Sequence, residues 1–158
     1  MLIVSDTSPI TNLYQVGHLD LLRALFARIV IPTAVFDELN TMPDQGAAIA
    51  SMTWITVASP TSEASITELS NILDPGEAQA IVLTRELESE LLIIDERKGR
   101  NVAQSFNIKT IGTLGVLVLA KEYGFISHIR PILDQMISQA RFRIGAKLYD
   151  SVLKANGE

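Results

Sequence analysis

The chain of 158 residues contains no cysteine. This absence excludes disulfide bonds, zinc sites built on cysteine and iron-sulfur clusters. The N-terminus also lacks a basic segment followed by an apolar core and a cleavage site, and residues 2–4 are typical of a β-strand instead. A cysteine-free chain without an export signal suits a reducing compartment, so we expect a cytoplasmic protein.

Long apolar runs and an excess of positive charge are missing as well. The longest apolar stretches, such as residues 115–120, fall short of the roughly 18 to 20 residues that a membrane-spanning helix needs. The 13 Lys and Arg are outnumbered by 18 Asp and Glu, which gives a net charge of -5. We therefore expect no membrane partner, and any nucleic acid must be bound locally, without a broad basic surface.

Several catalytic classes have no support in the sequence. There is no G-x-S-x-G elbow, no G-x-G-x-x-G loop and no P-loop, and both histidines, His18 and His128, lie near expected helix starts. These absences argue against serine or cysteine hydrolases and against nucleotide binding. A phosphotransferase with an aspartyl nucleophile is also disfavoured, because that class needs a second acid two residues after Asp6, where this chain has Ser8.

Aliphatic residues, in contrast, are abundant. Hydrophobic residues make up 47% of the chain and charged residues 20%, at a length typical of one domain. Five compact runs have the pattern of strands buried on both faces of a parallel sheet. They are residues 2–5, 27–31, 54–58, 91–94 and 109–111. The apolar composition also suits a subunit interface, so we expect a homodimer.

Amphipathic stretches of helical length separate these runs. They cover residues 9–16, 18–26, 33–39 continuing toward 52, 74–89 and 97–106. This alternation predicts an α/β fold in three layers, α/β/α, around a central parallel sheet of four or five strands. Residues 59–68 are rich in Ser and Thr and are interpreted as a surface loop.

The last part of the chain, residues 113–158, shows helical patterns only. The expected helices are residues 113–123, 128–140 and 145–155. We expect a single domain of residues 1–158, in which this helical C-terminal extension packs on the remainder or on a partner.

Two of the predicted strands are followed by an acid. Asp6 follows the first strand and Asp95 follows the fourth. Because ligands of open parallel sheets bind beyond the carboxyl ends of the strands, we expect both side chains at that edge. Glu38 and Glu77 lie in stretches from which a helix can bring them to the same edge.

Each of these acids also has a structural alternative. Asp6 can cap the helix that Pro9 helps to start, and Glu38 sits beside Asp37 on what can be a solvated helix face. Residues 74–77, Asp-Pro-Gly-Glu, have the spacing of a capping box. The glycine of this box costs roughly 1 kcal/mol relative to Ala in a helix, which is consistent with a group that approaches its backbone closely.

Four carboxylates at one edge require compensation. Two carboxylates about 5 Å apart repel by roughly 3 kcal/mol at an effective dielectric near 20, so a cluster needs protons or a cation. With no Cys and no nearby His, the all-oxygen donor set favours Mg²⁺ or Mn²⁺ over zinc. Such ions polarise phosphoryl groups and generate hydroxide from water, which predicts phosphoryl chemistry.

The order of the acidic motifs resembles that of the PIN-domain ribonucleases. The motifs are S-D-T-S at Asp6, V-F-D-E-L at Glu38, D-P-G-E-A-Q-A at Glu77 and L-L-I-I-D at Asp95. The likeness covers the chain to about residue 120 and is closest to the VapC-type toxins, within an uncharacterised PIN-like group. It implies a PIN-like fold, metal binding by these four acids and Mg²⁺- or Mn²⁺-dependent cleavage of RNA.

The same resemblance implies roles for neighbouring groups and partners. Ser8 is expected to support Asp6, and a small antitoxin protein is an expected partner. We expect Asp6 and Asp95 to be direct metal ligands, with Glu38 and Glu77 acting through water.

Charged residues follow Asp95 at once. Glu96, Arg97, Lys98 and Arg100 place charge beside the expected site, where the basic side chains can bind RNA phosphates. The alternative is a solvated helix face whose arginines pair with Asp95 or Glu96.

A second basic patch, Arg141, Arg143 and Lys147, has no assigned use and is a candidate contact for a partner. The main alternative function for the whole chain is a catalytically inactive PIN-like module that binds a protein. Its signature would be the failure to bind metal.

Overall fold

Five short strands form one parallel sheet in this computed structural model, which describes residues 1–158. They are β1 (Ile3–Ser5), β2 (Ile29–Pro32), β3 (Ile55–Ala58), β4 (Leu91–Ile93) and β5 (Thr110–Ile111). The spatial order is β3-β2-β1-β4-β5, and every neighbouring pair is parallel. The predicted sheet is confirmed, with each strand within two residues of its expected bounds.

Ten helices surround the sheet. They are α1 (Thr7–Gln15), α2 (Asp20–Phe26), α3 (Thr33–Leu39), α4 (Pro43–Ala50), α5 (Glu63–Ser70), α6 (Pro75–Glu86), α7 (Arg97–Ser105), α8 (Thr113–Glu122), α9 (Arg130–Gln139) and α10 (Ala146–Ala155). No helix combines the length and apolar character that crossing a bilayer requires.

The two faces of the sheet bury two separate cores. Ile3 and Ile93 point into the larger core, whereas Val4, Leu92 and Ile94 point into the smaller one. This alternation follows from the pleat of a strand, which sends successive side chains to opposite faces. Helices α1–α4 and α8–α10 cover the larger core and α5–α7 cover the smaller, so the predicted three-layer α/β/α fold is confirmed.

The three C-terminal helices supply part of the larger core. Val116 of α8, Leu133 of α9 and Leu153 of α10 are each at most 1% exposed and lie in that core. The chain end is fixed by Glu158, whose carboxylate accepts hydrogen bonds from the backbone N–H groups of Ile129 and Arg130 and from Lys121 Nζ.

The surface loop predicted at residues 59–68 is wrong in its second half, because α5 begins at Glu63. The Ser62 hydroxyl caps this helix by accepting from the Ser65 backbone N–H, and Leu69 is buried in the smaller core. A short helix with one buried residue and several Ser and Thr gives too weak an apolar period to be recognised from the sequence.

The helix predicted from residue 33 toward residue 52 is in fact two helices. The first ends at Leu39, and Pro43 opens α4 in a position where proline is well tolerated. The turn is tight, since a Cβ at Gly46 would clash with the Asn40 side chain. This break ends α3 one residue after Glu38.

Candidate active site

Asp6 and Asp95 lie beyond the carboxyl ends of β1 and β4, the central strand and its neighbour. The Asp6 backbone N–H donates to the Ile93 carbonyl at 2.9 Å. Ser5 is in register with Ile93, so Asp6 is level with Ile94 and Asp95 lies one residue further along. Because side chains alternate across a strand, Asp6 and Asp95 emerge on opposite faces of the sheet.

Asp6 faces α6 and stands among other acids. Its neighbours are Glu38 of α3 and, at the start of α6, Asp74 and Glu77; Asp6 itself is only 4% exposed. Burial, opposed by the Thr7 backbone N–H and reinforced by the charges of Asp74, Glu77 and Glu38, raises the pKa of Asp6 to about 8. This carboxylate lacks compensation for its charge.

Glu77 is buried in the same cluster. Burial and the charge of Asp74 raise the pKa of Glu77, against a hydrogen bond from the Asp74 backbone N–H, and the charges of Glu96 and Glu38 raise it further. The predicted capping box is present, since the Glu77 N–H donates to Asp74 Oδ1 at 2.8 Å and the Asp74 N–H to Glu77 Oε2 at 3.2 Å. Glu77 is thus both a cap and a member of the acid cluster.

Gly76 permits the acids to meet. A Cβ at this position would lie 2.6 Å from Glu38 Oε1 and 3.3 Å from Asp6 Oδ1. The first distance is shorter than real Cβ contacts, so any other residue would displace the Glu38 carboxylate. The two carboxylate oxygens therefore flank a single point beside the backbone of α6.

Glu38 is oriented toward this cluster by its helix and by Thr7. Val35 and Leu39 are fully buried on the core side of α3, and Asp37 is exposed to solvent. Glu38 is half-buried, on the side of α3 between the core and the solvent. Its Oε2 accepts a 2.6 Å hydrogen bond from Thr7 Oγ1. The charged pair at residues 37 and 38 is thus split into a solvated acid and an inward acid.

Asp95 has a different environment on the other face of the sheet. Its Oδ1 accepts from the Thr113 backbone N–H at 2.6 Å, and its Oδ2 accepts from Thr113 Oγ1 at 2.7 Å and from Asn12 Nδ2 at 3.4 Å. The alternative of ion pairs with Arg97 or Arg100 is wrong, since neither forms a salt bridge. Asp95 instead fixes the start of α8.

The donor chemistry of the Asp6 cluster fits a hard divalent cation. No group of three or more Asp, Glu or His side chains is arranged to hold a metal ion. Mg²⁺, however, commonly uses one or two carboxylates, with water and substrate phosphates completing its shell. The Asp6 and Glu38 oxygens beside Gly76, with Glu77 next to them, suit an ion bound in this way.

A cleft of about 1020 Å³ opens beside Asp95. Thr7 lines this cleft and also donates to Glu38, so the cleft adjoins the acid cluster. The charged residues of its lining are Asp95, Glu96, Arg97, Arg100, Arg141 and Arg143. Ser8 lies on its wall without a hydrogen bond to Asp6, and Lys98 is exposed outside the lining.

Three residues of this region were missed by reasoning from the sequence. Thr113 and Asn12 hold Asp95, and Asp74 adds charge to the Asp6 cluster. Asn12 had a usable signal, because it is a polar residue on the apolar side of α1, and it is 8% exposed. Thr113 gave none, since a Thr after Gly112 is typical of an ordinary helix start.

A family model described as "DUF3368: PIN domain" matches residues 2–158 of the chain. The chain belongs to the PIN-domain family. PIN domains are in general nucleases that use divalent metal ions such as Mg²⁺ or Mn²⁺. The predicted resemblance to PIN domains is confirmed, and the VapC-type assignment stays a prediction.

The solved structures include a similar fold. A PilT N-terminus domain protein from the hyperthermophilic archaeon Sulfolobus solfataricus P2 matches with a TM-score of 0.53 and 18% sequence identity, covering 76% of this chain and 93% of that chain. At this identity the similarity shows the fold alone. A search of the curated proteins gave no match.

Proposed function

We propose that this PIN domain is a ribonuclease that hydrolyses RNA phosphodiester bonds with Mg²⁺ or Mn²⁺. The observation that supports this most directly is the cluster of the buried Asp6 and Glu77 with the half-buried Glu38, in which burial and the neighbouring acids raise the pKa of Asp6 to about 8. No basic side chain forms an ion pair with these acids. A cation is the compensation that such a cluster lacks, and an oxygen-only donor set selects a hard one.

Asp6 and Glu38 would hold the ion, with Glu77 acting through water. This proposal replaces the expected direct ligands Asp6 and Asp95, because Asp95 emerges on the other face of the sheet. The bound ion would polarise a phosphoryl oxygen and lower the pKa of a water. Thr7 keeps Glu38 in place through its hydroxyl group. Asp95, the fourth acid of the motif series, is held by Thr113 at the wall of the cleft, where it would position the substrate beside the ion.

Arg97 and Arg100 would bind the phosphates that flank the scissile bond. Both follow Asp95 in the first turn of α7 and line the cleft. Glu96, at the N-cap of α7, also lines the cleft and adds to the charge felt by Glu77. Lys98 is exposed beside them and is assigned a weaker, long-range contribution.

A second candidate function is partner binding without cleavage. It is favoured by the engagement of both Asp95 oxygens with Thr113 and by the absence of a group of three acids arranged for a metal. In that case the acids would serve as helix caps and surface groups.

The test combines calorimetry with RNA cleavage. Mg²⁺ and Mn²⁺ binding is measured on the wild type, on Asp6→Asn and on Glu38→Gln, and cleavage is followed with and without chelator. Asp37→Asn is the matched control, since it neutralises the exposed neighbour of Glu38 on the same helix. We expect metal binding and cleavage to be lost in Asp6→Asn and Glu38→Gln and retained in Asp37→Asn.

Two results would contradict the ribonuclease. A folded wild type that binds neither ion would leave only the partner-binding function. Cleavage that persists in Asp6→Asn or in the presence of chelator would show that a contaminating nuclease or another site performs the reaction.

We also propose the biological setting that the resemblance to VapC-type toxins implies. In it, residues 1–158 act as one cytoplasmic domain, form a homodimer and are the toxin of a toxin-antitoxin pair with a small antitoxin protein. The dimer is supported by exposed apolar side chains near the end of α8, where Tyr123 is 70% and Phe125 49% exposed. Light scattering on the wild type and on a Tyr123→Ser, Phe125→Ser double variant tests the dimer, which we expect to dissociate.

A further inference from the structure

We infer that residues 140–145, here called the C-terminal strap, form one wall of the RNA-binding cleft and that Arg141 and Arg143 bind phosphates of single-stranded RNA. The strap joins α9 to α10 and borders the same cleft as Asp95. This inference deepens the proposed ribonuclease function and rests on it. It gives a use to the second basic patch of the sequence.

The strap is attached by alternate side chains. Phe142 and Ile144 are half-buried, pack against the larger core and border the cleft with their remaining surface, whereas Arg141 and Arg143 are exposed and line the cleft. Phe142 and Ile144 anchor the strap on the core, so the exposed Arg141 and Arg143 are kept at the cleft. Their charge is thereby held at the cleft by a fixed backbone.

Arg141 adopts a backbone conformation that usually belongs to glycine. Its φ is 56°, in the left-handed region, at the position following the C-cap of α9. The backbone N–H groups of Ala140 and Phe142 both donate to the Met136 carbonyl and hold this turn. This turn fixes where the strap leaves α9 and places Arg141 at the cleft.

The cleft concentrates positive charge in an acidic protein. Arg97 and Arg100 line it from α7, and Arg141 and Arg143 line it from the strap. None of the four forms a salt bridge, although the chain has a net charge of -5. These four guanidinium groups outnumber the two acids of the lining, Asp95 and Glu96, and match a polyanion that passes over the site with phosphates on both sides.

The lining also contains an apolar surface that distinguishes single strands from duplexes. This lining contains Leu114 and Val118 of α8 and Leu148 and Val152 of α10, and Leu148 is 52% exposed. Phe142 adds an aromatic ring. Unpaired bases can contact such a surface, whereas a duplex hides its base faces by stacking and pairing.

The experiment measures RNA binding separately from cleavage. A short fluorescent oligouridine and a duplex of equal length are titrated by anisotropy at several salt concentrations, in an Asp6→Asn background that leaves the RNA intact. The variants are Arg141→Gln with Arg143→Gln, and the matched control is Lys147→Gln. Lys147 is an exposed cation beside the strap that does not line the cleft.

We expect the double variant to bind the single strand about 10-fold more weakly at low salt. The slope of log affinity against log salt should also become shallower, by roughly 0.7 for each phosphate that is no longer neutralised. Lys147→Gln should bind as its parent does. A further variant, Arg141→Gly, suits the left-handed backbone, so it should keep its thermal midpoint and still bind RNA more weakly. An unchanged thermal midpoint together with weaker RNA binding in Arg141→Gly would show that the Arg141 side chain binds phosphate and does not merely stabilise the strap.

The inference is overturned if the double variant binds RNA as the Lys147→Gln control does while the wild type still cleaves RNA, a result that leaves the ribonuclease intact. Equal affinity for duplex and single strand would overturn the single-strand assignment. A change of oligomeric state in the double variant with unaltered RNA affinity would assign the cleft to a second copy of the chain. A wild type that neither cleaves nor binds RNA would remove the proposed function and this inference together.

Discussion

Two nearly buried carboxylates, Asp6 at the sheet edge and Glu158 at the last residue, have opposite electrostatic environments. Asp6 is 4% exposed and its pKa is raised to about 8 by burial and by neighbouring acids. The Glu158 side chain is 5% exposed. Burial acts to raise the pKa of Glu158, but hydrogen bonds from Lys121, Ile129 and Arg130, with the Lys121 charge, lower it to about 2.

The difference lies in the donors that each carboxylate receives. Glu158 has a cation and two backbone N–H groups within 3.0 Å, so its charge is compensated by the protein. Asp6 faces three other acids and no cation. A structural carboxylate brings its own donors, whereas a carboxylate without them needs a proton or a ligand from outside. Single substitutions can change the environment of either carboxylate.

The largest effect is expected from Asp6→Asn. In metal-free protein, this substitution should change how the free energy of unfolding depends on pH. Because the folded-state pKa of Asp6, about 8, exceeds its ordinary value of 3.8, the folded state holds the proton more tightly. Stability should therefore fall as the pH rises from about 4 to about 8 and stay low above that range. Asp6→Asn should remove this loss, on the order of 2 kcal/mol or more at pH 8.

Urea unfolding of chelator-treated protein across this pH range measures the effect. The Asp37→Asn variant is the control, because that exposed acid lies outside the cluster. If the free energy of unfolding changes with pH in the same way in the wild type and in Asp6→Asn, the pKa of Asp6 is not raised in the folded state.

Gly76→Ala should separate stability from metal binding. The added Cβ would lie 2.6 Å from Glu38 Oε1, so the carboxylate must move. We expect metal affinity to fall about 10-fold or more, while the thermal midpoint holds or rises because Ala favours a helix by about 1 kcal/mol. Calorimetry with Mn²⁺ measures the loss. Gly145→Ala, at the N-cap of α10 with open space around it, should leave metal affinity unchanged and lower the thermal midpoint slightly. Unchanged affinity in Gly76→Ala would contradict the placement of the ion.

Glu158→Gln should destabilise the packing of the C-terminal helices. The amide keeps an acceptor but loses the charge that pairs with Lys121, so we expect a loss of about 1 to 2 kcal/mol in the free energy of unfolding. Since the pKa of Glu158 is lowered, this contribution is present above about pH 4.5 and disappears as the pH falls toward 2. Thermal melts at neutral and acid pH test it. Exposed Glu122→Gln is the control, and an equal shift in both variants would refute the stabilising role of Glu158.

The smallest effect is expected at Thr113. This residue donates hydrogen bonds to the Asp95 carboxylate, as Lys121 does to the Glu158 carboxylate. Thr113→Val removes the 2.7 Å hydroxyl donor but leaves the backbone N–H, so we expect a loss of about 1 kcal/mol in stability. Thr113→Ser keeps the hydroxyl and should restore most of it. Denaturant unfolding of both variants measures the difference. If Ser is no better than Val, packing of the methyl group outweighs the hydrogen bond.

The sequence predicted the sheet and most helices because their signals are local. Aliphatic runs such as residues 91–94 and helical periods such as residues 113–123 are visible within a few residues of the chain. The α5 helix was missed because its residues are mostly polar, and the break after Leu39 was missed although Pro43, which opens α4, is a local signal of a helix start. Capping at Asp74 was recognised because the box lies within four consecutive residues.

The sequence alone determined the α/β layers, the parallel sheet and the four acids Asp6, Glu38, Glu77 and Asp95 as candidates, because residue type and spacing carry those signals. Tertiary structure decided how the acids divide. The strand register sends Asp6 toward α6 and Asp95 toward α8. There Thr113, which is 18 positions away in sequence, donates hydrogen bonds to the Asp95 carboxylate. Contacts of this range depend on which strands pair and in which register, and that pairing is fixed only when both cores are buried together.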